Sequence, residues 1–101
     1  MKAIINGKMY DTDTATAVDN YRYSYPNDLH YYSEVLYRKK TGEYFLCGEG
    51  GPASKYCEYL DARSRTSGCR IIPLSIEEAK KWVEEYRSAD TYIKLFGPVE
   101  E

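Results

Sequence analysis

Residues 31–47, YYSEVLYRKKTGEYFLC, decide the fold, because they hold two strand-like segments separated by a short polar turn. In the first segment, Val35 and Tyr37 have high β propensity. The second segment, residues 44–47, is a continuous run of aromatic and apolar residues. Residues 40–43, KTGE, have the composition of a turn between them. This stretch predicts an antiparallel hairpin.

Two further strand signals lie outside this hairpin. Asn6-Gly7 separates the short apolar stretches 2–5 and 8–10, and Asn-Gly favours a two-residue hairpin turn because both positions tolerate positive φ. Residues 70–74 read as a last strand, and Pro73 places this strand at an edge of the sheet, or the proline at its end. An exposed edge is compatible with pairing to a second copy, so the sequence allows a homodimer.

The C-terminal quarter predicts a helix. Ser75 and Glu78 form a capping box, and the helix from Ile76 to about Tyr86 has one apolar stripe that should lie on the sheet. Asp90 can cap a final helical turn. We therefore predict an α+β fold, a small antiparallel sheet of hairpins with a C-terminal amphipathic helix packed on one face, in a single domain spanning residues 1–101.

Four remaining segments have weaker signals. Asp11 and Thr12 offer caps for a short helix through Val18, and Ser54 offers one for a second short helix to about Leu60. Residues 61–69, DARSRTSGC, read as a mobile polar loop. The glycine-rich residues 48–52, GEGGP, should end a strand and let backbone pass where a side chain would not fit.

Composition argues against several classes of protein. The 14 basic and 16 acidic residues give a net charge of −2, unlike the strongly basic footprint of a typical nucleic-acid binder. No apolar run approaches the roughly 18 residues needed to cross a membrane. The N-terminus is too short to be a signal peptide, so we expect a cytoplasmic protein without membrane association.

No motif predicts catalysis, a metal or a cofactor. The GEGGP stretch lacks the lysine and hydroxyl residue of a phosphate-binding loop. Cys47, Cys57 and Cys69 with His30 would complete a zinc ligand set, but no two cysteines are close enough in sequence to pre-form such a site. A Cys/His nucleophile pair would lack an accompanying oxyanion-hole motif. We interpret the cysteines as unpaired, small buried residues and predict that the protein is not an enzyme.

The most informative functional feature is residues 21–32, YRYSYPNDLHYY, which contain five tyrosines. Tyrosine at this density on a polar loop suits protein recognition, because the ring offers a large, stiff contact surface with a hydrogen-bonding tip. The alternative is that two or three rings simply pack over the sheet edge. Stacking on single-stranded nucleic acid normally needs surrounding positive charge, and here Arg22 is offset by Asp28. The predicted partner-binding residues are Tyr21, Tyr23, Tyr25, Asp28, Tyr31, Tyr32 and Glu49.

Charged clusters support two other interpretations. A rival function is a small nucleic-acid-binding accessory protein that uses Arg38, Lys39, Lys40, Arg63 and Arg65. The C-terminal helices carry acidic residues that either form a solvated surface or mimic nucleic-acid phosphates and so occupy a basic groove on a partner. These acidic residues are Glu77, Glu78, Glu84, Glu85 and Asp90.

Three stretches together resemble a widespread group of short proteins carried by phages and integrated mobile elements of Gram-positive bacteria. They are MKAIINGKMYDTDTATA at residues 1–17, LYRKKTGEYFLCGEGGPASKY at 36–56 and IIPLSIEEAKKWVEE at 71–85. The resemblance covers most of the chain. Because such accessory proteins include inhibitors of host defence, it implies a candidate anti-CRISPR protein that blocks a Cas effector by steric occlusion or nucleic-acid mimicry. The tyrosine-rich segment departs from the looser, glycine- and serine-containing version in the group, so partner choice is expected to be particular to this protein.

Overall fold

The computed structural model of the protein describes residues 1–100, in which eight strands are followed by two helices. The elements are β1 (Lys2–Ile5), β2 (Lys8–Asp11), β3 (Thr16–Tyr23), β4 (Tyr32–Arg38), β5 (Tyr44–Gly50), β6 (Glu58–Tyr59), β7 (Arg65–Thr66), β8 (Gly68–Leu74), α1 (Ile76–Tyr86) and α2 (Ala89–Phe96).

A four-stranded antiparallel sheet in the order β3-β4-β5-β8 is the centre of the fold. The predicted hairpin at residues 31–47 is confirmed as β4 and β5, with Leu36 opposite Leu46. Leu46 is in turn opposite Ile72 of β8, which is the edge strand that Pro73 predicted. Because side chains alternate along a strand, these three residues lie on one face of the sheet.

The two helices cover that face. Ala79, Trp82 and Val83 of α1 are buried against a sheet cluster that includes Leu36 and Leu46. The predicted capping box at the start of α1 is present. This arrangement confirms the predicted α+β fold, with an antiparallel sheet and an amphipathic helix packed on one face. Ser88, not Asp90, is the N-cap of α2.

The β1–β2 hairpin packs on the opposite face of the sheet. Its turn has φ angles of 51° at Asn6 and 77° at Gly7, as the Asn-Gly pair predicted. Tyr10 is buried against Phe45 and Ile71, and its ring meets the Phe45 ring edge-on at 5.5 Å between centroids. The central part of the sheet is therefore buried on both faces, by helices on one side and by this hairpin on the other.

The helix predicted from Asp11 to Val18 is wrong. The Asp11 carboxylate accepts a hydrogen bond from the Asp13 amide at 2.9 Å, which forms a local turn instead of a helix cap. Thr16 to Tyr23 then form β3, the other edge strand, with a bulge at Val18. The β-branched residues in this segment favour the strand, and pairing with β4 supplies the backbone hydrogen bonds.

The helix predicted from Ser54 to Leu60 is also wrong. The Ser54 hydroxyl donates to the Gly51 carbonyl at 2.7 Å and accepts from the Tyr56 amide at 3.2 Å, so it stabilises a turn. Glu58 and Tyr59 form β6 rather than a helix end. This turn instead places the Tyr56 ring over Gly48 of β5, where the ring is buried.

The segment predicted as a mobile polar loop is a small hairpin. β6 pairs with β7, and the Asp61 carboxylate between them accepts from the amides of Arg63 and Ser64. Cys69 belongs to β8 and is exposed, whereas Cys47 and Cys57 are half-buried. All three are free thiols. The expectation that they are buried is wrong, because none is fully buried, although Cys47 packs against the cluster of Tyr10, Phe45 and Ile71.

The two ends of the sheet differ in their connections. The β3–β4 loop, residues 24–31, and the segment 51–67 with its small hairpin lie together at one end, which we call the tyrosine end. The β4–β5 turn, residues 39–43, and the junction between β8 and α1 lie at the other end, which we call the turn end. Neither helix in residues 1–100 has the length and apolar composition needed to cross a membrane.

Candidate functional site

The five clustered tyrosines are divided between strands and a loop. Tyr21 and Tyr23 lie on β3 and Tyr32 on β4, whereas Tyr25 and Tyr31 lie in the β3–β4 loop. The segment is therefore not one polar loop. Strand pairing between β3 and β4 continues to the contact of Tyr23 with Tyr32, which shortens the loop to residues 24–31.

The three strand tyrosines form a continuous aromatic row on the helix-covered face. The rings of Tyr23 and Tyr32 stack at 5.4 Å between centroids with an interplanar angle of 18°. Tyr21 packs on Tyr86 of α1 at 4.5 Å. Tyr23 remains 48% exposed at the outer end of this row, whereas Tyr21 is half-buried. The alternative that two or three rings simply pack over the sheet edge therefore applies to Tyr21 and Tyr32, whereas the Tyr23 ring keeps solvent-exposed surface.

The β3–β4 loop presents its apolar side chains to solvent while its polar groups are bonded internally. Tyr25 is 75% exposed and Leu29 is 62% exposed. The Asp28 carboxylate accepts from the Ser24 hydroxyl at 2.5 Å and from the His30 amide at 2.8 Å. These bonds lower the pKa of the Asp28 carboxyl, chiefly through Ser24. Asp28 therefore fixes the loop conformation.

Tyr31 and Glu49 come together on the other side of the loop. They line an open groove of about 490 Å³ whose remaining walls include Pro26, Glu58 and Cys69. Glu49 is exposed, and no basic side chain lies within 4 Å of its carboxylate among residues 1–100. The predicted site residues thus occupy one end of the molecule but two faces of it.

A buried carboxylate network lies beneath the aromatic row. Glu34 is fully buried on β4 and accepts hydrogen bonds from the Tyr56 hydroxyl and, at 3.1 Å, from the indole of Trp82. Lys55 forms an ion pair with it at 2.9 Å. The Lys55 ammonium also lies 4.7 Å from the centre of the Tyr32 ring, a cation–π contact that links the network to the aromatic row.

The network keeps Glu34 ionised. Burial by itself would raise the pKa of the Glu34 carboxyl, but hydrogen bonds from Tyr56, Lys55 and Trp82 outweigh burial and hold the pKa below its ordinary value of 4.5. Burial, followed by the hydrogen bond to Glu34, raises the pKa of Tyr56, so its hydroxyl stays protonated and donates. A buried charge with three donors is stable here because its acceptor capacity is used.

Glycines in the GEGGP stretch make room for this network. A Cβ atom at Gly48 would overlap the Tyr56 ring, and one at Gly51 would approach the Leu29 carbonyl oxygen to 2.6 Å. The predicted close approach is confirmed at Gly51, where backbone passes. At Gly48 the close neighbour is the Tyr56 ring and not backbone.

Sequence reasoning missed the network, although one signal for it exists. Glu34 has the same strand parity as Tyr32 and Leu36, so an alternating strand places it on the buried face. Neither Lys55 nor Trp82 has a comparable local signal, because each reaches Glu34 only through the tertiary fold.

The histidine and the cysteines form no site in the structure. His30 is exposed beside Asp28, and residues 1–100 contain no group of three side chains placed to hold a metal ion. The Cys47 thiol lies near the Met1 sulfur at 3.5 Å, and burial raises its pKa. A raised pKa reduces the thiolate fraction, which makes Cys47 a weaker nucleophile than an ordinary exposed cysteine.

The five cations of the rival hypothesis are separated. Arg38, Lys39 and Lys40 line a groove of about 740 Å³ at the turn end. Arg63 and Arg65 lie in the small hairpin at the tyrosine end. They do not form one surface. Two cations from the helical region, Arg87 and Lys94, complete the groove at the turn end instead.

Comparison of the chain with protein-family models, with curated proteins and with solved structures finds no match in any of the three.

Proposed function

We propose that this chain is a non-catalytic accessory protein of a phage or mobile element, which binds a protein of the bacterial host in the cytoplasm. Within that class we propose an anti-CRISPR inhibitor that blocks a Cas effector. The sequence resemblance described above supports the biological setting, and the exposed aromatic surface at the tyrosine end supports binding to a protein.

The observation that carries the proposal is the exposure of large apolar side chains at one end of the molecule. Tyr23, Tyr25 and Leu29 project from the β3–β4 hairpin, and Tyr59 and Leu60 are exposed on the small hairpin at the same end. Tyrosine is enriched at the energetic centre of protein interfaces, because its ring buries a large area with few rotatable bonds. A concentration of exposed aromatic and apolar side chains at one end of the molecule therefore supports a protein-binding site there.

The β3–β4 loop, which carries Tyr25 and Leu29, is ordered before any partner binds. The Gly51 amide donates to the Tyr31 carbonyl and the Ala53 amide to the Leu29 carbonyl, each at 2.8 Å. Asp28 fixes the conformation of the same loop from within. A loop that is already ordered loses little conformational entropy on binding, so more of its contact energy contributes to affinity.

At the tyrosine end, steric occlusion fits the surface better than nucleic-acid mimicry, because the exposed carboxylates of Glu77, Glu84, Glu85 and Asp90 lie on the two helices instead. Mimicry needs carboxylates that are free to meet a basic groove. Asp28 is bonded within its own loop, and Asp19 forms an ion pair with Arg87 at 3.0 Å. Glu49 is the predicted acidic contact that remains exposed, at the rim of the Tyr31 groove.

The test is capture from a lysate of a CRISPR-bearing bacterium, followed by a cleavage assay on the enriched Cas effector. The wild-type protein should reduce cleavage as its molar ratio to the effector approaches one. The double variant Tyr23→Ala/Tyr25→Ala should weaken inhibition at least tenfold, because each interface tyrosine is worth roughly 1–2 kcal/mol. Tyr21 is left intact because its ring packs against Tyr86.

The matched control removes exposed apolar surface elsewhere. Ile4 and Met9 are exposed on the β1–β2 hairpin, at 71% and 49%. Ile4→Ala/Met9→Ala should inhibit like the wild type. Equal loss in the two double variants, or full inhibition by the tyrosine variant, would contradict the assignment of the tyrosine end. Enrichment of no Cas effector would remove the anti-CRISPR proposal.

A further inference from the structure

We infer that the groove at the turn end binds the phosphate backbone of a nucleic-acid strand. This site is separate from the proposed protein-binding surface and lies at the opposite end of the sheet. It assigns a function to the Arg38-Lys39-Lys40 run and adds residues from α2 and its N-terminal flank that sequence spacing does not connect to it.

The groove lies between the helical region and the strands β3 and β4. Arg38, at the end of β4, and Lys40, in the turn, provide basic groups on one side. Lys94 of α2 and Arg87, just before α2, provide them on the other side. Lys39 also lines the groove, but its ammonium lies 4.2 Å from the centre of the Tyr10 ring, beside the β1–β2 hairpin. Among residues 1–100, Asp19 is the one acidic residue that lines the groove. The local charge is therefore strongly positive in a chain whose net charge is −2.

Three of these cations have no acidic partner within the protein. Among residues 1–100, no carboxylate lies within 4 Å of the charged groups of Arg38, Lys40 or Lys94. The other two are already engaged: Lys39 with Glu43 at 3.3 Å and Arg87 with Asp19 at 3.0 Å. Unpaired cations on two sides of a groove attract a polyanion and lose no internal ion pair when it binds.

The lining of the groove favours a phosphate chain over an acidic protein. Its apolar residues are Ala17, Val18 and Leu95, and the last two are partly buried against the hydrophobic core. No aromatic side chain lines the groove, so a protein partner would lack an anchor there. The hydroxyls of Thr16 and Thr91 add neutral donors, and phosphate oxygens accept from such groups as well as from Arg and Lys.

The experiment measures binding of mixed-sequence single-stranded DNA of about 20 nucleotides over a salt series starting near 50 mM, by calorimetric titration. Three free cations predict a slope of about −2 for log K against log salt, since each neutralised phosphate contributes about −0.7 on a single strand. Lys40→Ala/Lys94→Ala should weaken binding about tenfold or more at the lowest salt and reduce the slope to about −0.7.

A matched control and a variant with the opposite effect accompany this measurement. Lys2→Ala/Lys81→Ala removes the same charge from exposed positions outside the groove. This control should leave affinity within about twofold, because salt screens the attraction between the oligonucleotide and exposed charges that it does not contact. Asp19→Asn releases Arg87 and should tighten binding severalfold. Circular dichroism of each variant confirms that it is folded.

Several results would overturn the inference. They are no binding by the wild type near 50 mM salt, equal losses in the two lysine pairs, or tighter binding of polyglutamate than of the oligonucleotide. Inorganic phosphate that binds as tightly as the oligonucleotide would show a small-anion site instead. The Tyr23→Ala/Tyr25→Ala variant should bind the oligonucleotide normally, so the two proposed sites fail or succeed independently.

Discussion

At the tyrosine end, exposed rings rest on a buried charge with three hydrogen-bond donors; at the turn end, exposed cations lie above an apolar core. Beneath the turn end Tyr44 meets Phe96 at 5.7 Å, and among residues 1–100 no carboxylate is buried there. The difference follows from how each surface acts. An aromatic contact depends on a fixed ring position, because dispersion falls off within about an ångström, whereas a charge acts over several ångströms and tolerates mobility.

This comparison implies that the two ends respond differently to mutation. At the tyrosine end, single changes under the surface should affect the whole fold, because Glu34, Tyr56 and Trp82 satisfy one another. At the turn end, changes to surface cations should leave stability nearly unchanged.

The largest effect is expected for Glu34→Ala. Removing the buried acceptor leaves the Tyr56 hydroxyl and the Trp82 indole without a partner, which should lower the free energy of unfolding by about 3–5 kcal/mol. Urea denaturation measures it. The control is Glu49→Ala on the adjacent strand, whose exposed carboxylate should cost no more than about 0.5 kcal/mol. Similar losses in the two variants would show that the network does not stabilise this end.

A smaller effect is expected for Gly48→Ala. The new methyl overlaps the Tyr56 ring, and such overpacking should cost about 2 kcal/mol in thermal or urea unfolding. At the turn end, Gly42 has φ 94° and open space around it. Gly42→Ala therefore meets only backbone strain and should cost about 1 kcal/mol.

The Gly48 prediction has an internal check. In the double variant Gly48→Ala/Tyr56→Ala the clash is absent, so its cost should be clearly less than the sum of the two single costs. Additive costs would mean that the ring does not lie over Gly48. Gly48→Ala would then have no reason to cost more than Gly42→Ala.

The smallest effect concerns pH. Because the folded pKa of Glu34 lies below its ordinary 4.5, the ionised carboxylate stabilises the fold above that pH, and this contribution is lost as pH falls through the folded pKa. The difference in unfolding free energy between wild type and Glu34→Gln should therefore narrow as the solution is acidified below pH 4.5. Glu43 at the turn end also has a lowered pKa, chiefly through Lys8, but its carboxylate is far more accessible to solvent than that of Glu34, so Glu43→Gln should show less narrowing. A constant difference for Glu34→Gln would contradict this account.

Local signals were sufficient to predict much of the fold. The β propensity around Val35, the turn at residues 40–43 and the capping box of Ser75 with Glu78 are each complete within a few residues. They correctly predict the central hairpin and α1, which together define the fold class. The Asn-Gly turn at residues 6–7 is another such signal.

The failures occur where distant residues determine local structure. Ser54 is a good helix cap in isolation, but burial of Tyr56 against Glu34 directs this segment into a turn. The candidate site shows the same limit. Clustered tyrosines are visible in the sequence, whereas the approach of Lys94 to Arg38 across the groove depends on how the helical region packs on the sheet.

The chain has one tryptophan, and it lies in the buried network. Trp82 is nearly inaccessible to solvent, and its indole N–H donates to Glu34. Its emission wavelength is therefore a built-in optical reporter of the environment beneath the tyrosine end, and no label needs to be attached. A substitution on the binding surface that leaves the emission unchanged has altered the surface alone, and a red shift reveals that water has reached the carboxylate below.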